Sequence, residues 1–86
     1  MSLGYPDLKG QRAVGVRSVT KAVLRGQAVR VYIARDADEA VVAGLRKLCQ
    51  ERQIPVVEVP TMGELGRACG IEVGASAAAV LREEDA

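Results

Sequence analysis

The sequence predicts an α/β fold, a three-layer α/β/α sandwich around a mixed sheet of about four strands. Short apolar runs with a period of two alternate with runs whose apolar residues recur every three or four positions, the pattern of strands interleaved with helices. Hydrophobic residues make up 49% of the chain, enough for a core. Tyr5 and Tyr32 are the only aromatics, so that core must be built from Val, Leu, Ile and Ala. At 86 residues the chain is one domain's worth, with room for a single core.

Taken in order, residues 5–12 are polar and punctuated by Pro6 and Gly10, and they predict a short first helix. Residues 13–16 form a short apolar patch around Gly15, a brief strand. Ser18 is suited to cap a helix running to about Arg25, with Val19, Ala22 and Val23 as its apolar stripe. Gly26 stops that helix, and Arg25 suits the negative end of its dipole. Val29, Val31 and Ile33 alternate with Arg30, Tyr32 and Ala34, which is a strand. Asp36 and Asp38 offer caps for the next helix, with Glu39 in its first turn and Val41, Val42, Leu45, Leu48 and Cys49 on its apolar face. Ile54-Pro55 closes it, because the residue before a proline avoids the helical region. Residues 56–59 predict a third strand. Thr61 caps a helix carrying Met62, Leu65, Ala68 and Cys69; Glu64 completes a capping box and Gly70 ends the helix. Residues 75–81 are small and apolar, the composition of a central strand covered on both faces. Residues 82–86 form an acidic tail expected to fray. No internal repeat or low-complexity segment divides residues 1–86, so one domain is expected.

Several function classes are disfavoured. Cys49 and Cys69 form no CxxC pair and the chain has no His, so no structural zinc site is expected; both thiols sit at apolar helical positions and fit buried free thiols in a reducing compartment. No apolar run approaches the ~18 residues of a membrane span and no secretory signal opens the chain, so a cytoplasmic protein without membrane contact is expected. The few Ser and Thr residues have no evident base beside them. Asp36, Asp38 and Glu39 fit caps and first-turn dipole partners better than a metal or acid–base site. The pair Gly70 and Gly74 is too closely spaced for a dinucleotide fingerprint and lacks the Lys of a phosphate loop. No catalytic residue, metal or cofactor is therefore assigned. Scarce aromatics also argue against a general single-strand binder, which needs stacking platforms.

Charge is unevenly placed. Residues 1–35 hold seven basic residues against Asp7 alone, a net +6, while residues 36–86 hold five basic against ten acidic, a net −5. Such a dipolar chain can turn its basic part toward a polyanion. Within that part, Gly15-Val16-Arg17-Ser18-Val19-Thr20-Lys21 sets a glycine turn, an Arg and then a helix N-terminus with Lys21 inside it. Unpaired N–H groups and partial positive charge at a helix start suit phosphate, and an Arg there can fork onto a phosphate or a base edge. An ordinary helix start with surface charges fits the same residues equally well.

A resemblance adds to this reading. From Gly15 to Leu81 the chain resembles the L-seven-Ae kink-turn-binding ribosomal protein family, especially its small bacterial YbxF-like members. The shared residues are Gly15, Thr20 to Val23, Arg25-Gly26, Ile33 to Asp38, Leu48-Cys49, Glu51, Ile54-Pro55 and Leu65 to Ala75, in a common order and spacing. The resemblance implies a ribosomal-protein-like fold that recognises a kink-turn, an RNA duplex bent sharply at a bulge flanked by tandem sheared G·A pairs. The family pattern Gly-x-Asn-Glu-x-x-Lys at a helix start contacts the G·A pairs, and it falls on Gly15, Val16, Arg17, Ser18 and Lys21 here; Arg17 stands where the family has Asn, and Ser18 where it has Glu. The loop that packs under bases flipped from the bulge falls on Ile71, Glu72, Val73 and Gly74. Arg12, Arg25 and Arg35 would add attraction for phosphate. The expectation is a non-catalytic, monomeric RNA-binding protein, ribosome-associated or acting on a structured messenger element. The alternative is a protein-interaction module of the same fold whose basic half meets an acidic protein.

Overall fold

Seven elements alternate along the chain of the computed structural model, which describes residues 8 and 10–83. They are β1 (Arg12–Val14), α1 (Val16–Leu24), β2 (Ala28–Ala34), α2 (Glu39–Arg52), β3 (Val56–Val59), α3 (Met62–Cys69) and β4 (Ala77–Leu81). The strands form one mixed sheet in the order β1-β4-β2-β3. β2 and β3 are parallel, Val31 opposite Val56, a pairing that requires the crossover α2 supplies. β4 runs antiparallel to both its neighbours, with Ala79 opposite Ala13 on one side and Val31 on the other. α1 packs on β1, β2 and β4 and against α2, while α3 packs on β2, β3 and β4, which gives the three layers.

The central place of β4 follows from its composition. Ala77, Ala78 and Ala79 are fully buried, and their small side chains let the helical layers approach the sheet. The bulk comes from Val31 and Ile33 on β2, Val19 and Val23 on α1, Val42 and Leu45 on α2 and Leu65 on α3. Cys49 and Cys69 are free and belong to the same core, where burial raises both thiol pKa values.

Four local expectations are corrected. Arg12, expected within a first helix, opens β1 because its segment pairs with residues 78–80, and tertiary pairing overrides the polar local sequence; Leu8 is 3₁₀-helical and buried, and residues 1–7 and 9 fall outside the described residues. Ser18 does not cap α1. Gly15 takes that place with φ 96° and ψ 149°, so the helix starts at Val16, with Ser18 already in its first turn. Asp38 alone caps α2, its Oδ1 accepting from the Ala40 N–H at 3.0 Å, whereas Asp36 turns to α3. The expected fraying does not begin at Arg82, whose N–H donates to the Gln27 carbonyl at 2.8 Å; residues 84–86 fall outside the described residues. The cap at Thr61 is as expected, its hydroxyl accepting from the Glu64 N–H at 3.0 Å, and Gly70 ends α3 at φ 79°.

Candidate nucleic-acid interface

β1, β2 and β3 point the same way, so their carboxyl ends share one edge of the sheet, and β4 starts there. In open α/β sheets this is the edge where ligands collect. Backbone bonds fix its order: the Gly15 N–H donates to the Ala77 carbonyl at 2.8 Å, Ala34 to Ser76 at 2.9 Å, and Arg35 to Val59 at 2.8 Å. The start of α1, the β2–α2 turn and the α3–β4 loop are thereby brought side by side.

All three described helices begin at this edge, and they begin differently. Side-chain oxygens of Asp38 and Thr61 cap α2 and α3, and each has a Glu in its first turn. α1 has neither a side-chain cap nor an acidic residue in its first turn. Its first intrahelical bond runs from the Val19 N–H to the Gly15 carbonyl at 2.9 Å, so the N–H groups of Val16, Arg17 and Ser18 have no partner within the helix. The helix dipole adds partial positive charge at that point. Arg17 and Lys21, four residues apart on one face, are both exposed, as is Ser18, while Val16 is half-buried against the core. Nothing would meet a Cβ on Gly15; its conformation, not crowding, requires glycine.

The α3–β4 loop supplies a different chemistry. Val73 is 69% exposed at its tip, Ile71 is half-buried beneath, and Glu72 and Gly74 are exposed. The loop is held down at both ends: the Ile71 N–H donates to the Gly66 carbonyl and the Ala75 N–H to the Met62 carbonyl, both at 3.0 Å. It lies so close to α3 that a Cβ on Gly66 would stand 2.1 Å from the Val73 carbonyl oxygen, and a Cβ on Gly74 would stand 3.1 Å from that of Met62.

Most sequence-predicted site residues thus share one edge: Gly15, Val16, Arg17 and Ser18 at the start of α1, Arg35 exposed just past β2, and Ile71 to Gly74 from the loop, while Lys21 lies one turn along from Arg17, in the last turn of α1. Arg25 does not join them. It is the C-cap of α1, about 12 Å along the helix from Arg17 at 1.5 Å per residue. Arg12 is also elsewhere, partly buried on β1 with Nη1 donating to the Gly10 carbonyl at 3.4 Å and close enough to Cys69 that its charge opposes the burial that raises that thiol.

Residues 8–86 match the model of the ribosomal protein L7Ae/L30e/S12e/Gadd45 family. The chain belongs to this family. It is 49% identical over 69 residues to an RNA-binding protein of Caldanaerobacter subterraneus subsp. tengcongensis, covering 80% of this chain and 84% of that one. It is 41% identical over 68 residues to an RNA-binding protein of Bacillus pumilus, covering 79% and 83%. Among solved structures, a 15.5kD RNA-binding protein of Giardia lamblia superposes with a TM-score of 0.79 at 32% identity, covering 85% of this chain; the chain spans only 62% of that longer protein. A protein of unknown function from Bacillus halodurans superposes with a TM-score of 0.77 at 32% identity, covering 88% and 82%.

Within this L7Ae-family fold, two residues that shape the candidate site, Asp36 and Met62, were not legible as such. Asp36 accepts the Met62 N–H at 2.8 Å across 26 residues, a contact no local pattern announces. Met62 reads simply as part of an apolar stripe. Gly66 stands out in sequence only as a glycine inside a helical pattern, a choice that costs about 1 kcal/mol against alanine.

Proposed function

We propose that the protein binds RNA without catalysis, and that its target is a kink-turn. One observation carries the reading: an uncapped helix N-terminus bearing Arg17, with Lys21 on the same face one turn further along, meets an exposed apolar loop tip at Val73 along one edge of the sheet. A donor-rich helix start suits phosphate oxygens and the acceptor edges of bases. An apolar tip suits bases that have left the stack, and RNA readout favours splayed bases and irregular grooves over regular duplex. A kink-turn offers both within a short span. Relatives named as RNA-binding proteins at 49% and 41% identity support the RNA class, and the family resemblance supports the kink-turn.

In this reading Arg17, Lys21 and the free N–H groups take the tandem G·A pairs and adjoining phosphates, while Gly15 lets the backbone come close. Ile71 and Val73 lie under the bulged bases, Glu72 and Gly74 complete the loop, and Arg35 draws a flanking phosphate. Arg25 contributes at longer range from the far end of α1. The protein acts as a monomer in the cytoplasm, at the ribosome or on a structured messenger element.

Filter binding against three RNAs tests this: a kink-turn, the same RNA with its G·A pairs made Watson–Crick, and a straight duplex. The kink-turn should bind tightest by tenfold or more, about 1.4 kcal/mol. Val73→Asp should lower its affinity by ~2 kcal/mol, the scale of one base-stacking contact, with circular dichroism unchanged. Equal affinity for all three RNAs would reject the kink-turn, and no binding at physiological salt would reject RNA and favour an acidic protein partner.

A further inference from the structure

We infer that Asp36 is a positioning residue for RNA recognition, its carboxylate holding the 71–75 loop in place through Met62. The inference rests on the RNA reading above and adds a residue to it. Asp36 lies in the turn after β2, and its Oδ1 accepts the Met62 N–H at 2.8 Å. α3 already has Thr61 as its N-cap, occupied with the Glu64 N–H, so Asp36 takes a second free donor of the same helix from a distant part of the chain. The acceptor is a carboxylate, which also suits the positive end of the α3 dipole.

Met62 is the junction between that bond and the loop. Its carbonyl accepts the Ala75 N–H at 3.0 Å. Its Cβ lies so near Gly74 that a side chain there would come to 3.1 Å, and its sulfur lies 3.7 Å from the Ser76 hydroxyl. A displacement of Met62 therefore acts on Gly74 and Ala75, while Ser76 is also held by the Ala34 N–H at 2.9 Å. Among the described residues the other backbone bond within 71–75, Ile71 N–H to the Gly66 carbonyl, fixes only its first residue. The height of Val73 above the sheet edge is set between these two anchors, and Asp36 governs the second. Arg35 precedes Asp36 directly, so the same turn that presents a cation to RNA also sets the apolar tip.

Two measurements on the intact chain test the role. Without RNA, Asp36→Ala should speed amide hydrogen exchange at Met62 and Ala75 about tenfold, the change expected for one lost charge-assisted hydrogen bond, while Val31 and Ile33 keep their protection. With kink-turn RNA, Asp36→Ala should weaken binding about tenfold and Asp36→Asn, which keeps an Oδ1 acceptor, only about threefold or less. In a Val73→Ala background the Asp36→Ala loss should shrink to about twofold or less, because the loop tip it positions is gone. An equal loss in both backgrounds, or an Ala75 amide that exchanges as in the wild type, overturns the inference. Wild-type protein that failed to prefer kink-turn RNA would sink the functional reading by itself, and the exchange measurement would still decide whether Asp36 holds the loop.

Discussion

Replacing Gly66 by alanine sets helix propensity against packing, and Gly44→Ala supplies the control. Both glycines lie inside helices, where alanine is favoured by about 0.5–1 kcal/mol. Gly44 is exposed on α2, and a Cβ there would have nothing within 4 Å, so Gly44→Ala should stabilise the fold by nearly that full amount. Gly66 is buried, and its Cβ would meet backbone: the Val73 carbonyl oxygen at 2.1 Å, its carbon at 3.1 Å and the Gly74 Cα at 3.2 Å. Backbone cannot rotate aside, so the loop must withdraw by about 1 Å to reach tolerable separations. That puts at risk the Ile71–Gly66 and Ala75–Met62 hydrogen bonds, at ~0.5–1.5 kcal/mol each. Set against the propensity gain, the net loss should be about 1–2 kcal/mol, and kink-turn affinity should fall as Val73 is lifted. Urea unfolding followed by circular dichroism measures the first effect, with an unchanged m-value as the check on a common denatured state. A Gly66→Ala variant as stable as Gly44→Ala, with wild-type affinity, would refute the close approach of loop and helix.

The other predictions concern α1 and the core. Gly15→Ala should cost about 1–3 kcal/mol in urea melts, because φ 96° with ψ 149° is a conformation for glycine. The logarithm of RNA affinity should fall linearly with that of salt concentration with a slope of about −3 to −5; Lys21→Ala should make it shallower by about one, and Arg25→Ala should change affinity less than Arg17→Ala. Cys49 and Cys69, buried and with raised pKa, should react with a disulfide reagent at pH 8 only as fast as the protein opens, and rapid labelling in native buffer would count against their burial.

What the sequence made legible is what local chemistry decides. Alternation marked β2, the 3–4 spacing marked α2 and α3, and Asp38, Thr61, Gly26 and Gly70 punctuate helices as their side chains or φ freedom dictate. The run of alanines announced a strand covered on both sides. Where reading failed, a partner distant in sequence decided. The brief strand expected at residues 13–16 is there in Ala13 and Val14, but its start at Arg12 and its partner β4 are not encoded locally. Ser18 is a good cap in isolation, but Gly15, bonded to Ala77, turns the chain three residues earlier. Asp36 and Asp38 look equivalent in sequence; only the fold brings the Met62 N–H to one and leaves Ala40 to the other. The candidate site was similarly split: candidate residues could be named, but Arg25 was separable from Arg17 only once α1 had a length and a direction.

The electrostatics of the edge follow from the same division of labour among its carboxylates. Three helix N-termini at one edge would together attract anions without preference. Asp38 and Asp36 direct their negative charge at the starts of α2 and α3, with Glu39 and Glu64 beside them, so those two ends are largely neutralised from within the chain. α1 begins without an acid, and Arg17 in its first turn adds to its positive end, while Lys21 lies in the last turn of the same helix. Arg17 offers donors only, whereas the family's Asn offers a donor and an acceptor together, so this helix start is better matched to phosphates and to acceptor-bearing base edges than to a base amino group. Ser18 is short and lies in the first turn, leaving the backbone N–H groups uncovered where a longer acidic side chain could fold back on them. On the proposed RNA reading, this shifts how recognition is divided: the α1 side would supply attraction and orientation, and discrimination of the RNA's shape would fall more heavily on the loop tip at Val73, next to Gly66 and tied through Met62 to Asp36.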